Sequence, residues 1–305
     1  MNKYKGLETI VDIDRIKYNA SMKNYTTMKV GGNCDAIIFP ISVEEIKRII
    51  EYCKKEKIKF YVIGNGSNLL VKDEGIRALI IKIGSKFNEV SINDDIITAT
   101  SGTSMPALSQ FAKRNSLTGL EFACGIPGTI GGGIKMNAGA YGSQISDVLL
   151  NVTYIDENLE VKTITNEECK FGYRESIFAN NEKYIILRAT FKLKKGNLEE
   201  IENKMKENTI ARKTKQPLEY PNFGSVFKRP EGYFVGKLVQ DAGLRGYTIG
   251  GVQVSTKHTG FIVNIDKEKA TCKDVLDLIK HIQDTVYEKF NVKLTTEVVL
   301  IGGEE

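Results

Sequence analysis

The stretch Gly125-Ile126-Pro127-Gly128-Thr129-Ile130-Gly131-Gly132-Gly133-Ile134-Lys135-Met136-Asn137-Ala138-Gly139-Ala140-Tyr141-Gly142 decides how the rest of the chain is read. It closes a region, 119–142, in which eight of 24 residues are glycine, against 28 in all 305. Glycine costs about 1 kcal/mol per helical site relative to alanine, so the region is not helix or central strand throughout. A flexible glycine linker would not carry Ile126, Ile130, Ile134 and Met136. A segment this long inside a compact domain is a functional candidate. Main chain this bare can lie flat against a planar or polyanionic ligand.

A second glycine loop lies upstream. Phe60-Tyr61-Val62-Ile63 reads as a short buried strand that runs straight into Gly64-Asn65-Gly66-Ser67-Asn68. Such a loop lets consecutive amides converge on an anion, with Ser67 and Asn68 as added donors. Leu69 stands where G-x-G-x-x-G needs its last glycine, and no helix clearly follows, which disfavours a Rossmann site; G-x-x-x-x-G-K-[ST] is absent too. Taken alone, the loop reads first as a tight turn and second as a ligand site.

Around these loops the pattern is mixed helix and strand. Ser42–Lys57 predicts a helix, with Ser42 and Glu45 as a capping box and Ile46, Ile49, Ile50 and Cys53 on one face. Strands are expected at 69–71, 78–83, 96–100, 148–155, 160–164 and 184–193. A helix starts near Thr103 with Pro106 in its first turn. A polar helix over 198–213 connects to a second α+β unit. That unit has turns over 217–230, a helix near 234–242, a strand at 261–265, a helix from Thr271 and a last strand over 293–301. In the last helix Val275, Leu278, Ile279, Ile282 and Val286 share a face.

Composition narrows the function. Apolar residues are 41% and charged residues 27%, as in ordinary globular proteins. No apolar run exceeds four residues, against about 20 for a membrane span, and no apolar segment follows the N-terminal lysines, so a cytoplasmic protein is expected. Five scattered cysteines without C-x-x-C are neither a disulfide framework nor a zinc site. Two histidines, His258 and His281, rule out a multi-histidine metal centre, and no metal is expected. The net charge of +5 is concentrated between Lys204 and Arg245, where nine basic residues face four acids. So confined a patch suggests an anionic small ligand more than nucleic acid.

Two glycine loops on a sheet without Rossmann spacing resemble the flavin domain of the vanillyl-alcohol-oxidase (PCMH-type) superfamily. A longer ordered set of motifs narrows this. Thr26-Thr27-Met28-Lys29-Val30-Gly31-Gly32, the loop 64–68, the segment 126–142, Phe171-Gly172-Tyr173-Arg174-Glu175-Ser176, Gln216-Pro217, Gly224-Ser225-Val226-Phe227-Lys228-Arg229-Pro230 and Glu297-Val298-Val299-Leu300-Ile301-Gly302 occur in one order. That order is similar to the UDP-N-acetylenolpyruvoylglucosamine reductase family, in its shorter, type II branch. The resemblance covers nearly the whole chain.

It implies an α+β fold in which a two-lobed FAD-binding domain (1–84 and 85–211) is joined to a smaller substrate-binding domain (212–290). The C-terminal strand (291–305) returns to the first lobe. It implies non-covalent FAD, NADPH as reductant and a UDP-sugar substrate. No nucleic-acid or membrane partner is implied, and a monomer is the expected state. The cofactor would be held by Val62, Gly64, Asn65, Gly66, Ser67, Asn68, Gly125, Pro127, Gly128, Gly131, Gly132, Asn137, Ala138 and Gly139.

Arg174 matches the family's carboxylate-binding arginine, whose guanidinium fork suits a carboxylate. Glu297 matches its carboxyl partner, which would donate a hydrogen bond if its pKa is raised. Strand alternation sets Glu297 beside Thr295, Val299 and Ile301, an apolar setting that would do so. Ser225 matches the general acid. Lys228, Lys237 and Arg245 are candidates for the substrate diphosphate, and Arg212 and Gln216 for flavin or substrate. Three positions depart from the family pattern: Phe223, Gly133 and Val299. Of these, Phe223 is the one expected to reshape the pocket mouth.

Two other readings stand beside this one. A flavin oxidase of the same superfamily would need a covalent link that histidine cannot supply here, leaving Cys124. A non-catalytic nucleotide-sugar or RNA-binding module would use the 204–245 patch.

Overall fold

A four-stranded sheet runs in the order Ile16–Ser21, Asn33–Ile38, Ile76–Lys82, Phe60–Ile63. Its interior strands read as continuous apolar runs, and Ala36–Ile38 and Ala78–Ile81 are buried on both faces. Phe60–Ile63 lies parallel to Leu79–Lys82 in register, so Val62 sits beside Ile81. The first two strands carry little alternation and were not anticipated from the sequence. Helix α1 (Val43–Lys55) buries Ile46, Ile49, Ile50 and Cys53, as the periodicity predicts. Only half of the expected capping box forms: Ser42 Oγ accepts from the Glu45 amide at 3.1 Å. The Glu45 carboxylate instead takes the Ile41 amide and both guanidinium arms of buried Arg15, at 2.7 and 2.8 Å. A buried cation is a stronger attractor than the helix's own first amide.

The structure is a computed structural model that describes residues 3–303. The chain folds as two units. One comprises Met1–Lys17, Ala36–Asn65 and Leu79–Arg212; the other comprises Tyr18–Asp35, Gly66–Ala78 and Lys213–Glu305.

The first unit holds a five-stranded antiparallel sheet in the order Val161–Thr165, Leu149–Ile155, Ile185–Lys192, Ile96–Thr100, Val90–Asn93. Helices α2 (Met105–Arg114) and α3 (Ile130–Lys135) share a core with this sheet, through Leu108, Ala112, Ile130, Ile134 and Phe191. Helix α3 contains three consecutive glycines, which propensity alone would forbid. Thr129 caps it, and Ile130 and Ile134 bury one face four residues apart. A Cβ on Gly133 would stand 2.8 Å from both Ile145 Cδ1 and Met105 Sδ. Close packing therefore selects the missing side chain and supplies the stability that propensity lacks.

Helix α4 (Leu198–Lys215) follows, longer by two residues than its predicted end. In the second unit, helix α5 (Val235–Asp241) and helix α6 (Cys272–Phe290) pack with an antiparallel sheet of Thr248–Ile249, Val252–Val254 and Ile262–Asn264. Thr271 and Asp274 form a complete capping box on α6. The predicted α6 face meets Val252, Val254 and Ile262, and Phe223, Val226 and Phe227 complete that core. Phe223 is 2% exposed and fills that core.

The terminal strand is also shorter than expected, at Val299–Ile301. Residues 295–297 bond to 226–228, and the chain then changes partner to run parallel to Leu69–Val71. The predicted alternation stops at that change: Val299 and Leu300 are 37% and 40% exposed.

All five cysteines are free thiols. Burial pushes Cys34 up to about 11 and Cys53, Cys169 and Cys272 up to about 12, which makes them poor nucleophiles. Among the described residues no helix is long and apolar enough to cross a membrane, and no cluster of three metal-ligating side chains occurs.

Candidate active site

Within the first unit the two glycine segments touch. A Cβ on Gly64 would collide with Thr129 Oγ1, and Asn65 Nδ2 donates to the Pro127 carbonyl at 3.0 Å. Thr129 thus caps α3 and also closes on the first loop. Its signal was in the sequence, a threonine just before an apolar helical pair, but the glycines hid the helix. Half-buried Lys82 donates to the Gly64 carbonyl at 2.7 Å, and burial lowers its pKa. Half-buried Arg212 lies against Gly125, its Cδ 2.8 Å from where a Cβ would stand, and burial lowers its pKa as well. Neither cation has a carboxylate partner among the described residues. Two partly buried cations without a carboxylate partner suit an anionic ligand. Sequence reading weighed Arg212 and missed Lys82, which no motif distinguishes from other strand-end lysines.

Ser101 is a further residue the sequence did not reveal. It is 2% exposed, and its Oγ has no partner among the described residues. It stands beside Gly131, whose amide donates to the Ser101 carbonyl at 2.9 Å. Across Asn65–Asn68, no protein acceptor among the described residues meets the four amides. Gly66 needs its lack of a side chain twice over, at φ +64° and with the Tyr25 carbonyl where a Cβ would be.

Arg174 occupies the left-handed corner (φ +60°) of a tight turn closed by Gly172 and Glu175. Its guanidinium donates to the carbonyls of Asn137 at 3.4 Å and Gly139 at 3.2 Å, so the second glycine segment anchors it. Asn137, 1% exposed, is the bracket. Its Nδ2 donates to the Gly172 carbonyl at 3.0 Å and to Gln144 Oε1 at 3.3 Å, and its Oδ1 accepts from the Ser146 amide at 3.1 Å. That side chain is spent on protein, so cofactor contact at Asn137 would fall to main chain. Ala138 bonds back to Gly133 and Gly139 pairs with Gln144, while the Gly128 carbonyl accepts from Met105.

In the second unit the segment that follows Ser225 pairs with Glu297. The Glu297 amide donates to the Val226 carbonyl at 2.9 Å and the Lys228 amide to the Thr295 carbonyl at 2.8 Å. Asn68 of the first glycine loop donates through Nδ2 to the Glu297 carbonyl at 3.0 Å, and its own carbonyl accepts from Val299. Two sequence candidates, Asn68 and Glu297, therefore stand on one ladder, and Ser225 directly precedes its Val226 rung. Thr27, whose amide donates to the Gly66 carbonyl at 3.2 Å, and Gln216 each bury a side-chain oxygen that has no partner among the described residues. The substrate candidates are more peripheral. Lys237 pairs with Asp241 at 2.7 Å, and Arg245 bonds to the Thr256 carbonyl and Gln240. Lys228 is half-buried and follows the ladder directly. Cys124, half-buried, lies 3.8 Å from Thr209 Oγ1.

Within the first unit, the orphaned hydroxyl of Ser101 and the cations Lys82 and Arg212 beside bare glycine main chain fit a polyanionic cofactor such as FAD. Comparison with known proteins agrees. Residues 34–165 match the family described as FAD binding domain, and residues 216–301 match the UDP-N-acetylenolpyruvoylglucosamine reductase C-terminal domain. The UDP-N-acetylenolpyruvoylglucosamine reductase of Clostridium novyi (strain NT) is 48% identical over 300 residues, covering 98% of this chain and 96% of its own. That of Alkaliphilus oremlandii (strain OhILAs) is 46% identical over 304 residues, covering 100% and 99%. The crystal structure of the Thermus caldophilus reductase superposes with a TM-score of 0.81 at 35% identity, covering 94% of this chain and 98% of that one. A 4-ethylphenol oxidase from Gulosibacter chungangensis shares the fold alone, with a TM-score of 0.50 at 15% identity over 64% of this chain and 42% of its own. By fold, by site and by near-complete sequence coverage, the chain belongs to the UDP-N-acetylenolpyruvoylglucosamine reductase family.

Proposed function

We infer that the chain is an FAD-containing, NADPH-dependent oxidoreductase. It reduces the enolpyruvyl ether of UDP-N-acetylglucosamine-enolpyruvate to UDP-N-acetylmuramate, in cytoplasmic peptidoglycan precursor synthesis. FAD, when bound, would supply the two-electron chemistry that links NADPH oxidation to hydride addition at the substrate's vinyl carbon C3. A proton at C2 then completes saturation of the double bond.

The protein's groups act on charge and on that proton. The enol ether is electron-rich, so its carboxylate must draw charge away from C2. Arg174 binds the carboxylate through its fork, and Glu297 shares a proton with it. Ser225 gives its proton to C2. The loops 64–68 and 125–139 hold the cofactor through main chain, with Lys82 and Arg212 offsetting its negative charge. Lys228, with Lys237 and Arg245 further out, meets the substrate diphosphate. The lobes are 1–84 and 85–211, with 212–290 as the substrate domain and 291–305 returning to the first lobe.

The observation that carries these residue roles is the ladder joining Asn68, Glu297 and Val226. It ties the proposed proton donor and carboxyl group to a loop assigned to the cofactor. Anaerobic stopped-flow spectroscopy tests the function: NADPH should bleach the flavin and the enolpyruvyl sugar nucleotide should restore it. A flavin that NADPH reduces but only oxygen reoxidises would refute the reading.

A further inference from the structure

His258 has no part in the chemistry above, yet it is built into the support of Ser225. It lies in the turn 255–261 between the strands Val252–Val254 and Ile262–Asn264. The Gly260 amide donates to His258 Nδ1 at 3.1 Å. A backbone amide can only donate, so Nδ1 is the bare nitrogen and the imidazole is neutral, with its proton on Nε2. The Gly260 carbonyl in turn accepts from the Val226 amide at 3.1 Å, and the Val226 carbonyl accepts from Glu297. One chain of bonds therefore runs from the imidazole to the residue after Ser225.

The ring is held on its other sides. It meets Phe261 edge-on at 4.9 Å, and Cβ atoms on Gly236 or Gly260 would come within 3.3 and 3.0 Å of its Cε1. The Ser225 hydroxyl, by contrast, has no hydrogen-bond partner among the described residues. Its placement depends on the main chain on either side.

We propose that His258 is a positioning residue for Ser225: neutral Nδ1 fixes Gly260, Gly260 fixes Val226, and a proton on Nδ1 releases the turn that presents the hydroxyl. The inference rests on the proton-donor role of Ser225. Burial lowers the His258 pKa, against a smaller opposing contribution from its own backbone, which keeps the lock closed at neutral pH. The nearby charges are engaged elsewhere. Lys257 on the same turn bonds to the Lys213 carbonyl and Glu219, and Lys237 of α5 pairs with Asp241. On the 226–229 segment, Lys228 follows the ladder and Arg229 stacks on Phe234. No carboxylate from these elements contributes to the imidazole's shift.

The test uses the holoenzyme and three variants, His258→Ala, His258→Asn and Ser225→Ala, with the two half-reactions followed separately. His258→Ala should slow reoxidation by the enolpyruvyl sugar nucleotide about tenfold, the worth of one hydrogen bond, and leave reduction by NADPH within about twofold. His258→Asn keeps an acceptor oxygen for the Gly260 amide and cannot titrate. It should retain the neutral-pH rate and lose the fall in reoxidation that the parent shows on acidification, below the ordinary imidazole range. Imidazole ¹⁵N shifts should place the proton on Nε2, and Val226 amide exchange should quicken in His258→Ala. A proton on Nδ1, an acid limb that survives in His258→Asn, or an Asn variant as slow as Ala would each overturn the proposal. If Ser225→Ala reoxidises at the parent rate, the proton-donor role falls, while the tautomer and exchange measurements still decide whether His258 locks the turn.

Discussion

The two turns that present candidate catalytic groups solve one problem differently. In the first unit the functional residue bears the strain: Arg174 itself stands at φ +60°, a region L-residues rarely enter. In the second unit the strain is delegated, with Gly224 at φ +87° and Ser225 beside it in ordinary backbone. Each turn is bracketed by an asparagine. Asn137, fully buried, grips Gly172 before Arg174; Asn222, half-buried, accepts from the Gly224 amide at 3.0 Å. The difference follows from what each group must do. A guanidinium fork has to be aimed in a plane, and a left-handed corner held by three side-chain bonds fixes that plane. A hydroxyl rotates, so it needs only its Cα in place.

The largest expected effect lies where the strain is delegated. Ser225→Ala should cut reoxidation of the reduced flavin by about 10²–10⁴, the range for losing a general acid, and spare reduction by NADPH. Equal losses in both half-reactions would remove the acid role. Arg174→Gly comes next. It should cost about 10²–10³ in reoxidation, the loss of one oxyanion-type donor. Because glycine accepts the left-handed corner freely, unfolding free energy should stay within about 1 kcal/mol of the parent despite loss of the bonds to the Asn137 and Gly139 carbonyls. Marked destabilisation on denaturant titration would mean that Arg174 is structural first.

The same contrast explains what the sequence made legible. Helices with a clean apolar face were readable in their starts and buried faces: α1 with Ile46, Ile49, Ile50 and Cys53, and α6 with Val275 through Val286, because burial and period carry the same information. Helix α3 was not, since Gly131 answers to Ser101 and Gly133 to Ile145 and Met105, packing partners that helical periodicity does not report. The terminal strand was overextended because alternation cannot report a change of partner. At the site, Arg174, Ser225 and Glu297 were legible only as matches to an ordered family pattern; nothing local distinguishes a Gly-Ser pair from any turn. Lys82, Ser101 and the bracket role of Asn137 were invisible, because each is defined by what it fails to bond or by partners 35 residues away.

Two smaller effects sharpen the comparison. Asn137→Ala removes a buried bracket, takes one of two donors from the Gly172 carbonyl and leaves the Ser146 amide without its partner. It should cost about 1–3 kcal/mol in unfolding free energy, with reoxidation slowed and NADPH reduction retained. Denaturant midpoint and half-reaction rates read these together. Stability lost with both rates unchanged would mean that Asn137 holds the core but not the Arg174 turn.

Asn222→Ala gives the smallest change. Its Oδ1 serves one amide, and its Nδ2 reaches the Pro217 and Tyr220 carbonyls at 3.2 and 2.9 Å in a half-buried loop open to replacement water. The expected cost is about 0.5–1.5 kcal/mol. Because Val226 is still held through Gly260, the Ser225 Cα should move little and reoxidation should stay within about threefold of the parent, by the same hydrogen-bond arithmetic. A loss as large as that of Ser225→Ala would show that the hydroxyl is aimed from its N-terminal side, through Gly224, and that the two turns are bracketed alike after all.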